Sequence, residues 1–328
     1  MPDQAVIVTP ALGDANNGNW QTARRWARFL AGICRVRVVK TWPDGEAAGD
    51  RAMIALHARR SAESIAAWQR ERGSGGLALV LTGTDLYRDI REDAAAQASL
   101  ARAQALVVLQ ELGVRALPPE YRDKARTIFQ SASPRRTPAK TERHLRAVMV
   151  GHLREEKSPG TLFAAARLLA DRRDIRIDHI GGALDPGLGA EAEATASRCP
   201  GYRWLGPLPH AAVRARIQRA HVLVHCSRME GGAHAVIEAA ASGTPVLASR
   251  IDGNVGLLGE DYGGYFAWND AAALARLLTE CRAGQASPSG LLERLGRQLA
   301  ARAPRFAPAT EQAAVRALLR DLLARNRP

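Results

Sequence analysis

Lysine is nearly missing from this 328-residue chain. Only Lys40, Lys124, Lys140 and Lys157 stand among 46 basic residues. The net charge of +13 would by itself suggest a polyanion or an anionic lipid as partner. Yet the arginines come singly, scattered through Ala/Arg/Leu-rich segments, which reads as a compositional bias and not as a binding face. Aromatic residues, at 5%, are too sparse to supply stacking platforms between those arginines. Neither nucleic acid nor a membrane is therefore expected as a partner.

Other absences narrow the field further. The four cysteines, Cys34, Cys199, Cys226 and Cys281, form no C-x-x-C pair and no zinc-like spacing, so reduced thiols that pack are expected. No apolar run approaches the ~18 residues that span a bilayer. The first residues, "MPDQAVIVTPALG", lack a basic leader region and carry an apolar run of strand length, so a cytoplasmic location is expected. Neither G-x-G-x-x-G nor G-x-x-x-x-G-K-[ST] occurs, which excludes the common dinucleotide fingerprint and the P-loop. No D-x-D occurs either, and no metal or other cofactor is expected.

What remains is a soluble globular composition, 46% hydrophobic and 24% charged, long enough for two domains. Short apolar runs alternate with helical patterns through the first part: 5–9, 35–39, 53–57, 77–81, 105–109 and 125–129 read as strands, 19–33 and 61–72 as helices. A polar stretch with two prolines, "SASPRRTPAKTERH", interrupts the pattern. The alternation then restarts with strands at 146–150, 175–181, 202–206, 221–225 and 245–249, and the tail is mostly helical. The expected class is α/β, two doubly wound Rossmann-like domains facing a deep cleft. The boundaries are 1–133, a linker 134–145, 146–305, and a C-terminal helix 306–328 that can cross back to the first domain.

In doubly wound sheets ligands sit outside the carboxyl ends of strands, so the loops that follow strands are the places to search. After the first strand, "TPALGDANNGNW" is rich in Gly and Asn and opens onto a helix, which suits an anion or a plain surface loop equally. "LHARRSA" puts His57, Arg59, Arg60 and Ser61 at a strand end, either as solvated surface or as a fork for a phosphate-like group. "LTGTDLYRD" adds Thr82, Thr84, Asp85 and Arg88; Asp85 is at least as well explained by an Asx turn or N-cap as by a base.

In the second half "VGHLREEKSPG" brings Arg154 and Lys157 close enough to neutralise a diphosphate, or forms an ordinary charged turn. "LGPLPH" is a rigid turn able to offer backbone groups to a flat base. In "SRMEGGAHAVIEAAASGTPVLAS", Glu230 precedes Gly231, Gly232 and Ala233 at a helix start, and Glu238 follows a turn later. An ionised carboxylate there can accept both hydrogens of a vicinal diol.

This last segment resembles the E-x7-E region of family-4, GT-B-fold, nucleotide-sugar glycosyltransferases. More narrowly, "LHARRSAESI", "LTGTDLYRDI", "ALVVLQ", "ARTIFQSA", "VGHLREEKSPGTL" and "WLGPLPH" look like the selenosugar synthases of selenoneine biosynthesis, across roughly residues 5 to 265. The resemblance implies transfer of N-acetylglucosamine from UDP-N-acetylglucosamine to the selenium of selenophosphate, with UDP and phosphate released. It implies that Glu238 holds the ribose, Glu230 with the Gly231–His234 backbone holds the sugar, Arg154 and Lys157 hold the diphosphate, and Leu205-Gly206 flank the uracil. Gly13, Gly18 and Asn19 would close over diphosphate and sugar.

Two departures from the general family pattern stand out. His152 replaces the usual basic residue of the diphosphate loop, and Thr82 replaces a histidine that helps orient the sugar. The second departure suits an acceptor already anionic and nucleophilic, which needs no general base but does need a phosphate site. His57, Arg59, Arg60 and Arg88 are the candidates for that site.

Overall fold

In the computed structural model residues 3–12 and 18–324 are described. Contacts divide the chain into two units. One comprises Met1–Gln130, Glu230–Gly232 and Pro308–Pro328, and the other Ser131–Met229 and Ala233–Ala307.

The first unit is built on β1 (Gln4–Val8), β2 (Arg35–Val39), β3 (Asp50–Leu56), β4 (Leu77–Val80), β5 (Ala105–Val108) and β6 (Ala125–Thr127). All pair in parallel, in the order β2-β1-β3-β4-β5-β6. Continuous apolar runs are what such a sheet requires, because both faces are covered. In β1, Ala5 and Ile7 pack with Trp26, Leu30, Leu318 and Leu322, while Val6 and Val8 pack with Met53, Ile65 and Trp68. The chain starts at β1, adds β2 on one side and then crosses to β3 on the other. The carboxyl ends of β1 and β3 therefore flank the switch point.

The second unit carries β7 (Leu145–Val150), β8 (Ile175–Ile180), β9 (Tyr202–Trp204), β10 (Val222–His225), β11 (Val246–Ser249) and β12 (Tyr265–Phe266). Its order is β12-β11-β10-β7-β8-β9, again all parallel. Here the reversal falls between β7 and β10. The two loops singled out in this half, after β7 and after β10, are thus the pair that flank its switch point.

The polar stretch read as a linker forms no strand or helix, but it is strapped to the second unit. Arg135 N donates to Ala241 O at 2.7 Å, Arg214 Nη2 to Ser133 O at 2.8 Å, Gln218 Nε2 to Arg136 O at 2.6 Å, and Gln285 Nε2 to Thr141 O at 2.7 Å. The helix Pro308–Ala324 belongs to the first unit. Its buried Glu311 accepts hydrogen bonds from Arg25 and from the Trp26 indole.

The fully buried His179 of β8 lies 3.0 Å from the Tyr202 hydroxyl, and burial pushes its pKa down to about 4. The unfolded chain protonates this histidine near pH 6.5, so stability present above that pH is lost as pH falls toward 4. A loss of about 3 kcal/mol is expected from this group. Urea midpoints at pH 7 and pH 4.5 should differ less in His179→Phe than in the wild type; an unchanged difference would assign the effect elsewhere.

Among the described residues no helix is long and apolar enough to cross a membrane.

Candidate functional site

In the first unit the loops after β3 and β4 are knotted together by one carboxylate. Asp85 is fully buried and accepts from Ala58 N at 3.0 Å, Thr82 N at 2.8 Å and Gly83 N at 2.8 Å. Its oxygens are thereby spent on backbone amides. Ser61 is likewise turned inward, its hydroxyl donating to Leu56 O at 2.7 Å instead of capping the helix Ala62–Arg72. Both side chains are buried, and both shape the loops.

The remaining residues of this group do gather. His57 has a φ of 78°, a left-handed conformation that is strained for a residue with a Cβ. Asp85–Asp89 form a π-helical turn, an irregularity often found at functional sites. Together they bring Arg59 and Arg88 to one side chain that sequence reading passed over, Asp89. Arg59 Nε donates to Asp89 Oδ2 at 3.0 Å and Arg88 Nε to Oδ1 at 3.1 Å. Burial alone would raise the Asp89 pKa, but the two arginine hydrogen bonds outweigh it and hold the carboxyl below its ordinary range.

His57 is 3% exposed, with Nε2 3.3 Å from Thr84 Oγ1 and 3.8 Å from Asp89 Oδ2. Its Nδ1 accepts the Arg60 amide at 3.4 Å, which assigns the ring proton to Nε2. Burial lowers its pKa against the opposing pull of Asp85, so the ring is neutral at neutral pH. Arg59 and Arg60 are exposed and Arg88 is half-buried.

Glu230, Gly231 and Gly232 are grouped with this first unit. Gly83 has a φ of 144°, and a Cβ added there would meet Gly231 N at 3.1 Å. A Cβ on Gly231 would run into the Thr82 carbonyl, and one on Gly232 would meet Leu109 Cβ at 2.9 Å. The glycine pair is thus demanded by backbone approach. Glu230 is 8% exposed. Gly18 and Asn19 open the helix Gly18–Leu30, and Gly13 lies outside the described residues.

In the second unit the loop after β7 turns through Glu155–Lys157 into Ser158, which has a φ of 44°, and Pro159 then starts a helix. The Lys157 stem lies along Gly151, where a Cβ would meet its Cγ at 3.4 Å. Arg154 Nε is 3.9 Å from Glu156 Oε2. The loop after β10 contributes Arg228, another residue not singled out from the sequence. Its backbone N–H donates to Glu156 O at 3.0 Å, and its Nη1 lies 2.6 Å from Glu155 Oε1. The two loops at this switch point are therefore fastened to each other.

His152 Nδ1 accepts the Gly182 amide at 3.0 Å. Burial and the nearby Arg154 charge lower its pKa, so it is neutral at neutral pH and adds no positive charge to Arg154, Lys157 and Arg228.

Glu238 sits in the helix His234–Ala240, 3% exposed. His210 Nε2 contacts its Oε1 at 2.6 Å, with His234 Nε2 at 3.6 Å and Arg214 Nη1 at 3.8 Å. Burial raises this carboxyl, but the His210 hydrogen bond and the surrounding positive charge more than offset it, leaving it ionised. The sequence reading has this carboxylate open to a diol, whereas in the structure His210 occupies one oxygen. The His210 side chain is 67% exposed. The Leu205-Gly206 turn is pinned to the sheet by Leu205 N to His179 O and Gly181 N to Gly206 O, both at 2.9 Å.

Among the described residues no three His, Cys, Asp or Glu side chains come together as a metal would need. Cys226, beside the loop after β10, is fully buried and burial raises its thiol pKa, which fits packing.

Comparison with solved structures places this architecture. The fold matches HepE of Anabaena, solved with UDP, at a TM-score of 0.73 over 98% of this chain and 100% of that one, at 12% identity. It matches a sucrose-phosphate synthase of Thermosynechococcus elongatus at 0.74 over 98% and 99%, at 17% identity. TarM of S. aureus matches at 0.63, with 82% of this chain covering 56% of that one at 12% identity. These likenesses establish the GT-B fold.

Among curated proteins, the D-inositol 3-phosphate glycosyltransferase of Corynebacterium glutamicum (strain R) is 31% identical over 139 residues. That alignment takes in 38% of this chain and only 33% of the relative, so the chain spans about a third of its length. The family model for glycosyl transferases group 1 matches residues 132–296, half of the chain, and the protein belongs to that family.

Proposed function

We propose that the protein is a UDP-sugar-dependent transferase whose acceptor is a phosphorus oxyanion, in the full reading a selenosugar synthase. The observation that carries this reading is the Arg59–Asp89–Arg88 clamp beside a neutral His57 and an exposed Arg60. It supports an anion held after β3 and β4. HepE and TarM were solved with UDP, which supports a uridine nucleotide as the leaving group.

In this reading Glu238 takes the ribose once His210 has moved aside. Arg154 and Lys157, fastened near Arg228, stabilise the diphosphate as it leaves, a task that positive groups perform without a metal. Glu230 and the Gly231–His234 backbone hold the hexosamine. Selenium of selenophosphate attacks the anomeric carbon as the carbon–oxygen bond to UDP breaks, and the bonding pair departs with UDP. Water then cleaves the P–Se bond: its hydroxyl goes to phosphorus as phosphate, its proton to selenium.

The test is a mass-spectrometric product assay with UDP-N-acetylglucosamine and fresh selenophosphate in the presence of EDTA, omitting each substrate in turn. The expected product is an N-acetylhexosamine bearing the selenium isotope pattern, dependent on both substrates. The curated relative's acceptor, an inositol 3-phosphate, favours a second reading in which the anion site grips the phosphate of a hydroxyl acceptor. UDP release with no selenium-bearing product would support it over the first. Absence of both turnover and UDP binding would overturn each.

A further inference from the structure

We infer that Asp89 is a positioning residue: it holds Arg59 and Arg88 as one two-armed fork for a tetrahedral oxyanion. The inference rests on the reading of this site as an anion site and adds what sets its geometry and its charge. Asp89 is 4% exposed, and each of its oxygens takes the Nε–H of a different arginine. One arginine comes from the turn after β3 and the other from the π-helical turn after β4. A single buried carboxylate thus fixes the spacing of two guanidinium groups that the chain delivers independently.

Arg59 and Arg88 each engage Asp89 through Nε, and the two Nη atoms of Arg59 carry further N–H donors. The Arg59 and Arg88 side chains are 44% and 39% exposed, whereas that of Asp89 is 5% exposed. The carboxylate is therefore the buried anchor and the guanidinium groups the accessible arms. Arg59, Arg60 and Arg88 outnumber the carboxylates Asp85 and Asp89 in this cluster, so an anion is favoured over a cation. His57, packed against Asp89, adds no charge while it is neutral.

The two roles open to Asp89 predict opposite signs. If it merely offsets charge, Asp89→Asn makes the cluster more positive and phosphate binds more tightly. If it positions the arms, the same variant binds phosphate more weakly although the protein has gained a positive charge. The experiment is calorimetric titration of the full chain with inorganic phosphate, alongside thermal melts of every variant. The expected result is weakening of about 10-fold or more in Asp89→Asn, on the scale of one charge-assisted hydrogen bond.

The double variant Arg59→Lys with Arg88→Lys keeps the charge but not the planar fork, and should weaken binding comparably with an unchanged melt. It decides the matter if Asp89→Asn does not fold. Wild-type binding that is lost in Arg59→Ala but kept or tightened in Asp89→Asn, or kept in the double lysine variant, would overturn the inference and leave the anion site standing. No phosphate binding by the wild type would overturn the site and the inference together. The titration contains neither selenium nor UDP-sugar, so failure of the proposed reaction leaves its outcome unaffected.

Discussion

On the proposed function, Lys157→Ala should lower kcat/KM for UDP-sugar turnover by about 100- to 1000-fold, the scale of losing one preorganised group at a developing charge. The expectation comes from the loop itself. The loop after β7 and the loop after β10 are fastened to each other through Arg228 and Glu155, which fixes the backbone that carries Lys157. Lys157 is laid along Gly151 and followed by the left-handed Ser158 and Pro159, at the point where the sheet reverses direction. Steady-state kinetics with UDP titration reads the result. A variant within threefold of the wild type would mean that the diphosphate is stabilised elsewhere.

Glu311→Ala should destabilise the first unit by about 3 to 5 kcal/mol. The Glu311 side chain is fully buried and paired at 2.8 Å with Arg25, itself only 11% exposed. It also accepts the Trp26 indole N–H at 2.7 Å. Removing the carboxylate strands a guanidinium and an indole donor in the interior, which costs more than the lost pair itself. Trp26 lies in the same core cluster as Leu318 and Leu322, so the helix Pro308–Ala324 would loosen with it. Urea unfolding followed by tryptophan fluorescence measures the loss; a midpoint within experimental error of the wild type would contradict it.

Much of the architecture could be read from residue order, because parallel strands buried on both faces leave long apolar runs such as "LALVL" and "HVLVH". The exceptions have physical causes. β12 is only Tyr265–Phe266, too short to show a period, and it joins the sheet through β11. The π-helical turn at Asp85–Asp89 follows neither the strand period nor the helical one. For the site, the residues that make an electropositive loop were visible, but the groups that organise it were not. Asp89 stands directly after Arg88 and reads as half of a surface pair; only the fold turns Arg59 toward it as well. His210 is 28 residues from Glu238, and Arg228 meets Glu155 from 73 residues away, so no local spacing announces either contact.

The clamp around Asp89 also bears on how activity should vary with acidity. Arginine side chains stay protonated in proteins. Asp89 is held ionised well into acid, and His57 is held neutral from neutral pH upward. From the ordinary histidine range toward alkaline pH these groups therefore keep one constant charge. An ionisation in acceptor binding over that span would then not come from the clamp, and the pH profile of acceptor affinity would become a titration of the small molecule carried out by the enzyme.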